Sequence, residues 1–109
     1  MITNIPDTWK VLKFTRSNKT TYKVFAGWYG GYMGGDAWQL NSGIVSVKQY
    51  NDRYEFAGKS GSLYVCYMPC EKMSSYQLNV LTRWRKETED TGILIEEVEP
   101  NEFLQVEYN

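Results

Sequence analysis

Apolar residues recur at every second position along most of this chain, a pattern that is typical of half-buried β-strands. Tyr22, Val24, Ala26 and Trp28 provide one example. Turn-forming residues separate the alternating segments from one another. The pattern predicts about seven strands, at residues 9–16, 21–29, 38–50 with an interruption at 41–43, 53–57, 63–68, 93–98 and 103–108.

Two of these strands depart from a simple alternation of apolar and polar residues. In the strand at residues 9–16, Trp9 and Val11 alternate first, and then Leu12 and Phe14. Such a shift by one residue indicates either a β-bulge or a strand that is covered on both sides. The strand at residues 63–68 contains no charged residue, which favours a central position in the sheet.

One segment, at about residues 74–88, has helical periodicity instead. Ser74, followed three residues later by Gln77, is the signature of a capping box at a helix N-terminus. The predicted apolar stripe consists of Tyr76, Val80, Leu81 and Trp84. Runs of strands around one helix predict an α+β fold, in which a twisted antiparallel sheet carries the helix on one face.

Length and composition limit the classes of protein that this chain represents. With 109 residues, the chain is expected to form a single domain over residues 1–109. It contains no histidine, which removes the commonest general base and the commonest metal ligand. Cys66 and Cys70 alone do not provide the four ligands of a structural zinc site. The sequence therefore predicts a non-catalytic protein without metal or cofactor, although catalysis by carboxylate, lysine or tyrosine stays open.

The N-terminal residues do not resemble a targeting segment. Residues 1–14 contain Pro6, Asp7 and two lysines, and they lack the apolar core of a signal peptide. No stretch of the sequence approaches the roughly 18 consecutive apolar residues that a membrane span needs. We therefore expect a cytoplasmic protein that does not enter the membrane.

Charge is distributed unevenly along the chain. Residues 1–86 contain all twelve Lys and Arg and five acids, a net charge of +7. Residues 87–109 contain eight acids and no base, a net charge of −8. Either the acidic strands pair with the basic ones and neutralise them, or one surface stays basic and meets an anionic partner.

A glycine-rich segment at residues 30–38 is the first candidate binding surface. Four glycines in six residues exclude an ordinary strand or helix, and aromatic residues flank the segment. Exposed loops of this kind often carry binding residues, whereas the alternative is a plain connection with the aromatics packed beneath it. The predicted partner-binding residues are Trp28, Tyr29, Tyr32 and Asp36.

The segment Gly58-Lys59-Ser60-Gly61-Ser62 is the second candidate. Consecutive backbone N–H groups in such a loop form an anion-binding nest, and the alternative is an ordinary hairpin turn. Ser42 is expected nearby, since its strand belongs to the same meander. A nucleotide or another anion would then contact a basic loop beside aromatic rings, although the nearly neutral net charge argues against nucleic acid. The predicted ligand-binding residues are Lys59, Ser60, Gly61, Ser62, Arg53, Trp38 and Tyr64.

Two short motifs carry a resemblance to a group of known proteins. The motifs W-x-L-N-S-G-I at residues 38–44 and G-x-S-G-S-x-Y at residues 58–64 resemble segments of small uncharacterised accessory proteins of tailed bacteriophages. The resemblance covers about residues 38–81. It implies a protein that acts by stoichiometric binding of a host or defence factor or of a signalling molecule, for example as an inhibitor in the host cytoplasm.

The predicted function is thus binding to a macromolecular partner, most directly a protein. The alternative is binding of a small nucleotide or anion at residues 58–62. A homodimer is also possible, because the predicted strand at residues 103–108 lies at a sheet edge. Its glutamates, however, are equally suited to prevent edge-to-edge pairing.

Overall fold

The computed structural model describes residues 2–30 and 34–108, and its α+β architecture confirms the predicted fold class. Eight strands and one helix follow one another along these residues. They are β1 (Thr3–Asn4), β2 (Thr8–Arg16), β3 (Lys19–Trp28), β4 (Ala37–Leu40), β5 (Ile44–Gln49), β6 (Arg53–Gly58), β7 (Leu63–Tyr67), α1 (Ser75–Glu87) and β8 (Ile93–Val98). Single 3-10 turns occupy Met68–Cys70 and Pro100–Glu102.

The strands form two sheets, where the sequence predicted one. The outer sheet has the order β1-β7-β6-β5, and the central sheet has the order β4-β3-β2-β8. One core cluster joins the two sheets, and a second joins the central sheet to α1. The helix therefore packs on one face of a sheet, as predicted, while the opposite face of that sheet packs against the outer sheet.

The three-layer arrangement explains the shifted pattern of β2. Trp9 and Val11 face the outer sheet, whereas Leu12 on the opposite face packs against α1. Pairing of β2 with β3 and with β8 continues without a break in register. The shift therefore reflects burial on both faces, and the bulge lies instead in β5, between Ile44 and Ser46.

Aromatic rings fill the space between the two sheets. The Trp9 ring lies 6.1 Å from Tyr54, 5.8 Å from Phe56 and 5.9 Å from Phe103, measured between ring centroids. The indole N–H of Trp9 donates to the backbone carbonyl of Tyr67 at 2.8 Å. This hydrogen bond satisfies the polar atom of a ring that is otherwise fully buried, as buried tryptophan requires.

The N-terminus of α1 is held to the central sheet by Gln77. The predicted capping box is present, since Ser74 and Gln77 exchange side-chain-to-backbone hydrogen bonds. Gln77 also accepts from the hydroxyl of Thr8 at 2.5 Å and donates to the carbonyl of Phe25 at 3.1 Å. A polar side chain therefore occupies the first buried position of the helix, and Tyr76, which was predicted in the apolar stripe, is exposed.

The C-terminal segment corrects another prediction. Residues 103–108 form turns and irregular backbone after the 3-10 turn, so the predicted edge strand is absent. Phe103 is inserted between the sheets, and Leu104 beside it is exposed. The hydroxyl of Tyr108 donates to the carbonyl of Phe103 at 2.7 Å. The segment thus closes one end of the core with side chains instead of extending a sheet.

Candidate functional site

The loop at residues 58–62 brings serine side chains together, as the sequence predicted for Ser42. The hydroxyl of Ser42 lies 3.2 Å from that of Ser60, which lies 3.0 Å from that of Ser62. Gly58 allows this approach, because a Cβ atom there would lie 3.3 Å from the Ser42 hydroxyl. Three exposed hydroxyl groups and the neighbouring Lys59 therefore share one corner of the outer sheet.

The backbone of this loop is less suited to binding an anion than the sequence suggests. The N–H of Lys59 donates to Gly43 at 2.9 Å, and the N–H of Gly61 donates to Gly58 at 3.0 Å. The N–H of Ser60 donates to the Ser42 hydroxyl at 2.9 Å. An anion-binding nest needs free N–H groups, and these three are already used within the chain.

The remaining residues predicted for this ligand site lie elsewhere. Arg53 starts β6 at the end opposite to Gly58, and it binds Asp52 and Glu55 at 2.8 and 2.9 Å. Trp38 lies on the helix side of the central sheet, with its ring 5.0 Å from that of Trp84. Tyr64 is buried in the core between the sheets. The loop and the predicted aromatic platform are therefore not assembled into one pocket.

Two of the predicted partner-binding residues have structural roles at the glycine-rich segment. The indole of Trp28 donates to the carbonyl of Ile5 at 3.0 Å, and Asp36 accepts from the N–H of Gly30 at 3.1 Å. Tyr29 is 56% exposed, so its ring is accessible to a partner. Tyr32 lies outside the described residues.

A different concave surface lies at the tip of the β2–β3 hairpin, on the helix side of the central sheet. We call it the basic groove. Its volume is about 240 Å³. Its apolar floor consists of Phe14, Leu40 and Ile93, and its cationic residues are Arg16, Lys19 and Lys23, with Thr15 and Thr21 completing the lining.

The register of the central sheet explains how these residues meet. Arg16 pairs with both Lys19 and Ile93, and Phe14 pairs with Thr21 in the next row of the same face. Alternate residues of a strand share a face, so Leu12 lies in line with Phe14. Leu12 is fully buried beneath α1, whereas Phe14 is only partly buried. The helix therefore covers one half of this face and leaves the hairpin end open.

The cations of the basic groove have no ionic partner among the described residues, because none of the ion pairs found there includes them. Arg16 and Lys19 also lie directly opposite each other. Like charges in such a cross-strand pair are destabilising. This end of the sheet therefore concentrates positive charge that the rest of the described chain does not neutralise.

Lys10 lies on β2, on the same face as Arg16, but in contrast to Arg16 it is surrounded by acidic side chains. Its ammonium group lies 2.5 Å from Glu71, 3.3 Å from Glu99 and 3.9 Å from Glu97. Burial lowers the pKa of Lys10, but hydrogen bonds and charge interactions with Glu71 and Glu99 outweigh burial, so the net pKa is raised. One end of β2 is thus neutralised by Glu71 together with Glu97 and Glu99 of the acidic C-terminal part, and the other end stays basic.

Sequence reasoning did not single out the basic groove. A signal was available, since residues 8–35 contain five bases and no acid. Alternate residues of a strand share a face. Once β2 and β3 are paired in register, this rule places Arg16, Lys19 and Lys23 on the same face as Phe14. The residues that complete the floor, Leu40 and Ile93, come from distant parts of the chain and depend on the sheet order.

A larger polar cleft of about 570 Å³ lies on the opposite face of the same hairpin, beneath the C-terminal segment. Lys13, Glu102 and Glu107 are among its lining residues, so charges of both signs are present. Tyr22 lines the cleft, and its ring meets that of Tyr108 edge to face at 5.5 Å. Burial, with a smaller contribution from Tyr22, raises the pKa of Tyr108 from 10.0 to about 12.

Replacing Tyr108 with phenylalanine is expected to make the protein less sensitive to alkaline pH. The folded state keeps the Tyr108 proton up to about pH 12, whereas the unfolded chain releases it near the ordinary pKa of 10.0. Stability from this group is therefore fully present below pH 10 and is lost as the pH rises toward 12. Urea unfolding of both proteins between pH 8 and 11.5 measures the difference, and parallel curves would contradict the prediction.

Comparisons with known proteins do not assign the chain to a family, because no family model, no curated protein and no solved structure matches it. Among the described residues, no group of three or more His, Cys, Asp or Glu side chains could hold a metal ion. No helix in the same residues is long and apolar enough to cross a bilayer. The fold and the basic groove define an α+β protein with two packed sheets and a cationic, apolar concave surface.

Proposed function

We propose that this chain is a small non-catalytic protein that acts by stoichiometric binding to a macromolecular partner through the basic groove. The observation that carries the proposal is the combination of three cations without an ionic partner and an apolar floor in one concave surface. Such a combination is costly in an isolated protein, since like charges repel one another and apolar surface meets water. A bound partner would relieve both costs.

The shape of the surface favours a macromolecule over a small ligand. A second concave region of about 410 Å³ is lined by Arg16, Ser17, Asn18 and Lys19, and it shares two of these residues with the basic groove. The two regions therefore adjoin at Arg16 and Lys19, at the hairpin tip. The loop at residues 58–62 offers a small ligand three hydroxyl groups, but its N–H groups at residues 59–61 are already used.

The class of partner follows from the resemblance to phage accessory proteins. In this proposal the partner is a host or defence protein in the host cytoplasm, and binding inhibits it. A stable one-to-one complex and a basic contact surface are what such an inhibitor needs, because electrostatic complementarity accelerates association with an acidic target.

The proposal is tested by capturing partners from a host cell extract on the immobilised protein and measuring the stoichiometry and affinity of the purified complex. The variant Arg16→Glu/Lys19→Glu is expected to bind the captured partner at least about tenfold more weakly, since like charges across an interface cost more than 1.4 kcal/mol.

A matched control for this experiment is Arg83→Glu/Lys86→Glu. It makes the same change in net charge at two exposed positions outside the groove, which none of the described ion pairs involves. This control should keep the affinity of the wild type. Equal affinity of both double variants would remove the basic groove as the contact surface.

A further inference from the structure

We infer that the basic groove holds an extended acidic segment of a partner protein, in which one bulky apolar side chain lies between two carboxylates. This inference rests on the proposed function, and it adds the chemistry of the segment that binds. Three features support it: the size of the apolar floor, the spacing of the cations and the lack of an exposed aromatic platform in the groove.

The apolar floor of the groove comes from three different strands. Phe14 lies on β2, Leu40 on the edge strand β4, and Ile93 at the start of β8. All three are partly buried and pack at the border of the helix-side core. The groove above this floor has a volume of about 240 Å³, so it has room for a bulky apolar side chain such as leucine or phenylalanine.

The spacing of the cations matches an extended peptide. Lys19 and Lys23 lie on the same face of β3, four residues apart, which corresponds to about 13 Å in a strand. Thr21 lies between them and pairs with Phe14. An extended peptide with acidic residues at positions i and i+4 repeats this distance, and its residue i+2 then lies above Phe14.

The two ends of the groove are not equivalent. Arg16 pairs directly with Lys19, so one carboxylate of the peptide would meet two cations, including a guanidinium group that binds carboxylates with two parallel hydrogen bonds. The other carboxylate would meet Lys23 alone. The motif that fits is therefore acidic-x-apolar-x-acidic, with the stronger electrostatic contact at the Arg16 end.

Nucleic acid fits the same charges less well. Single strands are held by stacking of bases on exposed aromatic rings beside a basic surface. In the basic groove the only aromatic ring is that of Phe14, which is partly buried, and the other two floor residues are aliphatic. A membrane surface fits poorly as well, because the apolar residues form a recess and do not project from the protein.

The probe for this inference is a capped ten-residue peptide with glutamate, leucine and glutamate at alternate central positions and serine elsewhere. We expect its titration into the isotope-labelled protein to shift the backbone amide signals of β2 and β3 around the hairpin, together with those of Leu40 and Ile93. Binding should weaken at least tenfold when the peptide leucine becomes alanine, when its glutamates become lysine, or in the protein variant Lys19→Glu/Lys23→Glu.

Several results would overturn the inference. One is the absence of shifts in these amides at millimolar peptide, and another is equal affinity for the alanine peptide. Tighter binding of a single-stranded oligonucleotide or an anionic phospholipid vesicle to the same amides would assign another class of partner. If the partner captured from the extract depends on Arg16 and Lys19 but the acidic peptide does not bind, the proposed function stands and only the chemistry of the segment is wrong.

Discussion

Replacing Gly27 with alanine is expected to destabilise the protein by about 2–4 kcal/mol. A Cβ atom at this position would lie 2.5 Å from Cδ and 2.6 Å from Oε1 of Gln77, and 2.8 Å from the Thr8 hydroxyl oxygen. Gln77 is fully buried and bonds to Ser74, Thr8 and Phe25. Its displacement would leave buried polar atoms without partners, and urea unfolding followed by tryptophan fluorescence measures the loss.

The matched control is Gly35→Ala. No heavy atom lies within 4 Å of a Cβ atom built at Gly35, so stability should change by less than about 0.5 kcal/mol. The double variant Gly27→Ala/Gln77→Ala tests the mechanism, because removing the Gln77 side chain removes the steric conflict. It should be more stable than the sum of the single changes predicts. Strict additivity would show that Gln77 is not what excludes a side chain at Gly27.

The second large effect is expected at Phe103. Its replacement by alanine should lower the free energy of unfolding by about 3–5 kcal/mol, the usual cost of emptying a buried phenylalanine site. The ring centroid of Phe103 lies 5.0 Å from that of Tyr54 and 5.4 Å from that of Phe56, and the residue is fully buried. Equilibrium unfolding in urea measures this loss.

Leu104→Ala provides the comparison, because Leu104 is 59% exposed. It should change stability by less than about 0.5 kcal/mol. The comparison also discriminates between two structures of this segment. A strand over residues 103–108 with Leu104, Val106 and Tyr108 inward, as the alternation predicts, would reverse the order of the two effects.

The failure of the alternation pattern at residues 103–108 has a physical cause. Alternation of apolar and polar residues in a short segment does not by itself show that the segment pairs with a neighbouring strand. Pro100 starts a 3-10 turn before the segment, and Phe103 reaches the core directly from this turn. A single buried phenylalanine then determines the path of the chain more strongly than three alternating residues.

The division of the strands between two sheets could not be predicted from the local sequence pattern either. In β2, a strand buried on both faces and a bulged strand give the same shift between Val11 and Leu12, and only the continuous register with β3 and β8 decides between them. Thr3 and Asn4 pair in parallel with β7. A two-residue strand is too short to have a recognisable period, so the sequence did not predict it.

For the candidate sites, the sequence was informative where the contributing residues are close along the chain. Ser60 and Ser62 belong to one loop, and the proximity of Ser42 follows from the short meander between them. Arg53 and Trp38 were predicted at the same site because their strands follow one another in the same meander. The structure places Arg53 at the far end of β6, and Trp38 faces α1.

Features that depend on local interactions could be predicted from the amino-acid sequence. The capping box of α1 involves residues three positions apart, and the β5–β6 hairpin follows from its turn residues and flanking alternation. The α+β class follows from these elements because each must bury one apolar face. Tertiary structure alone decided the two-sheet packing and the basic groove. Phe14, Leu40 and Ile93 line one groove because their strands belong to one sheet, and α1 leaves the hairpin end of that face uncovered.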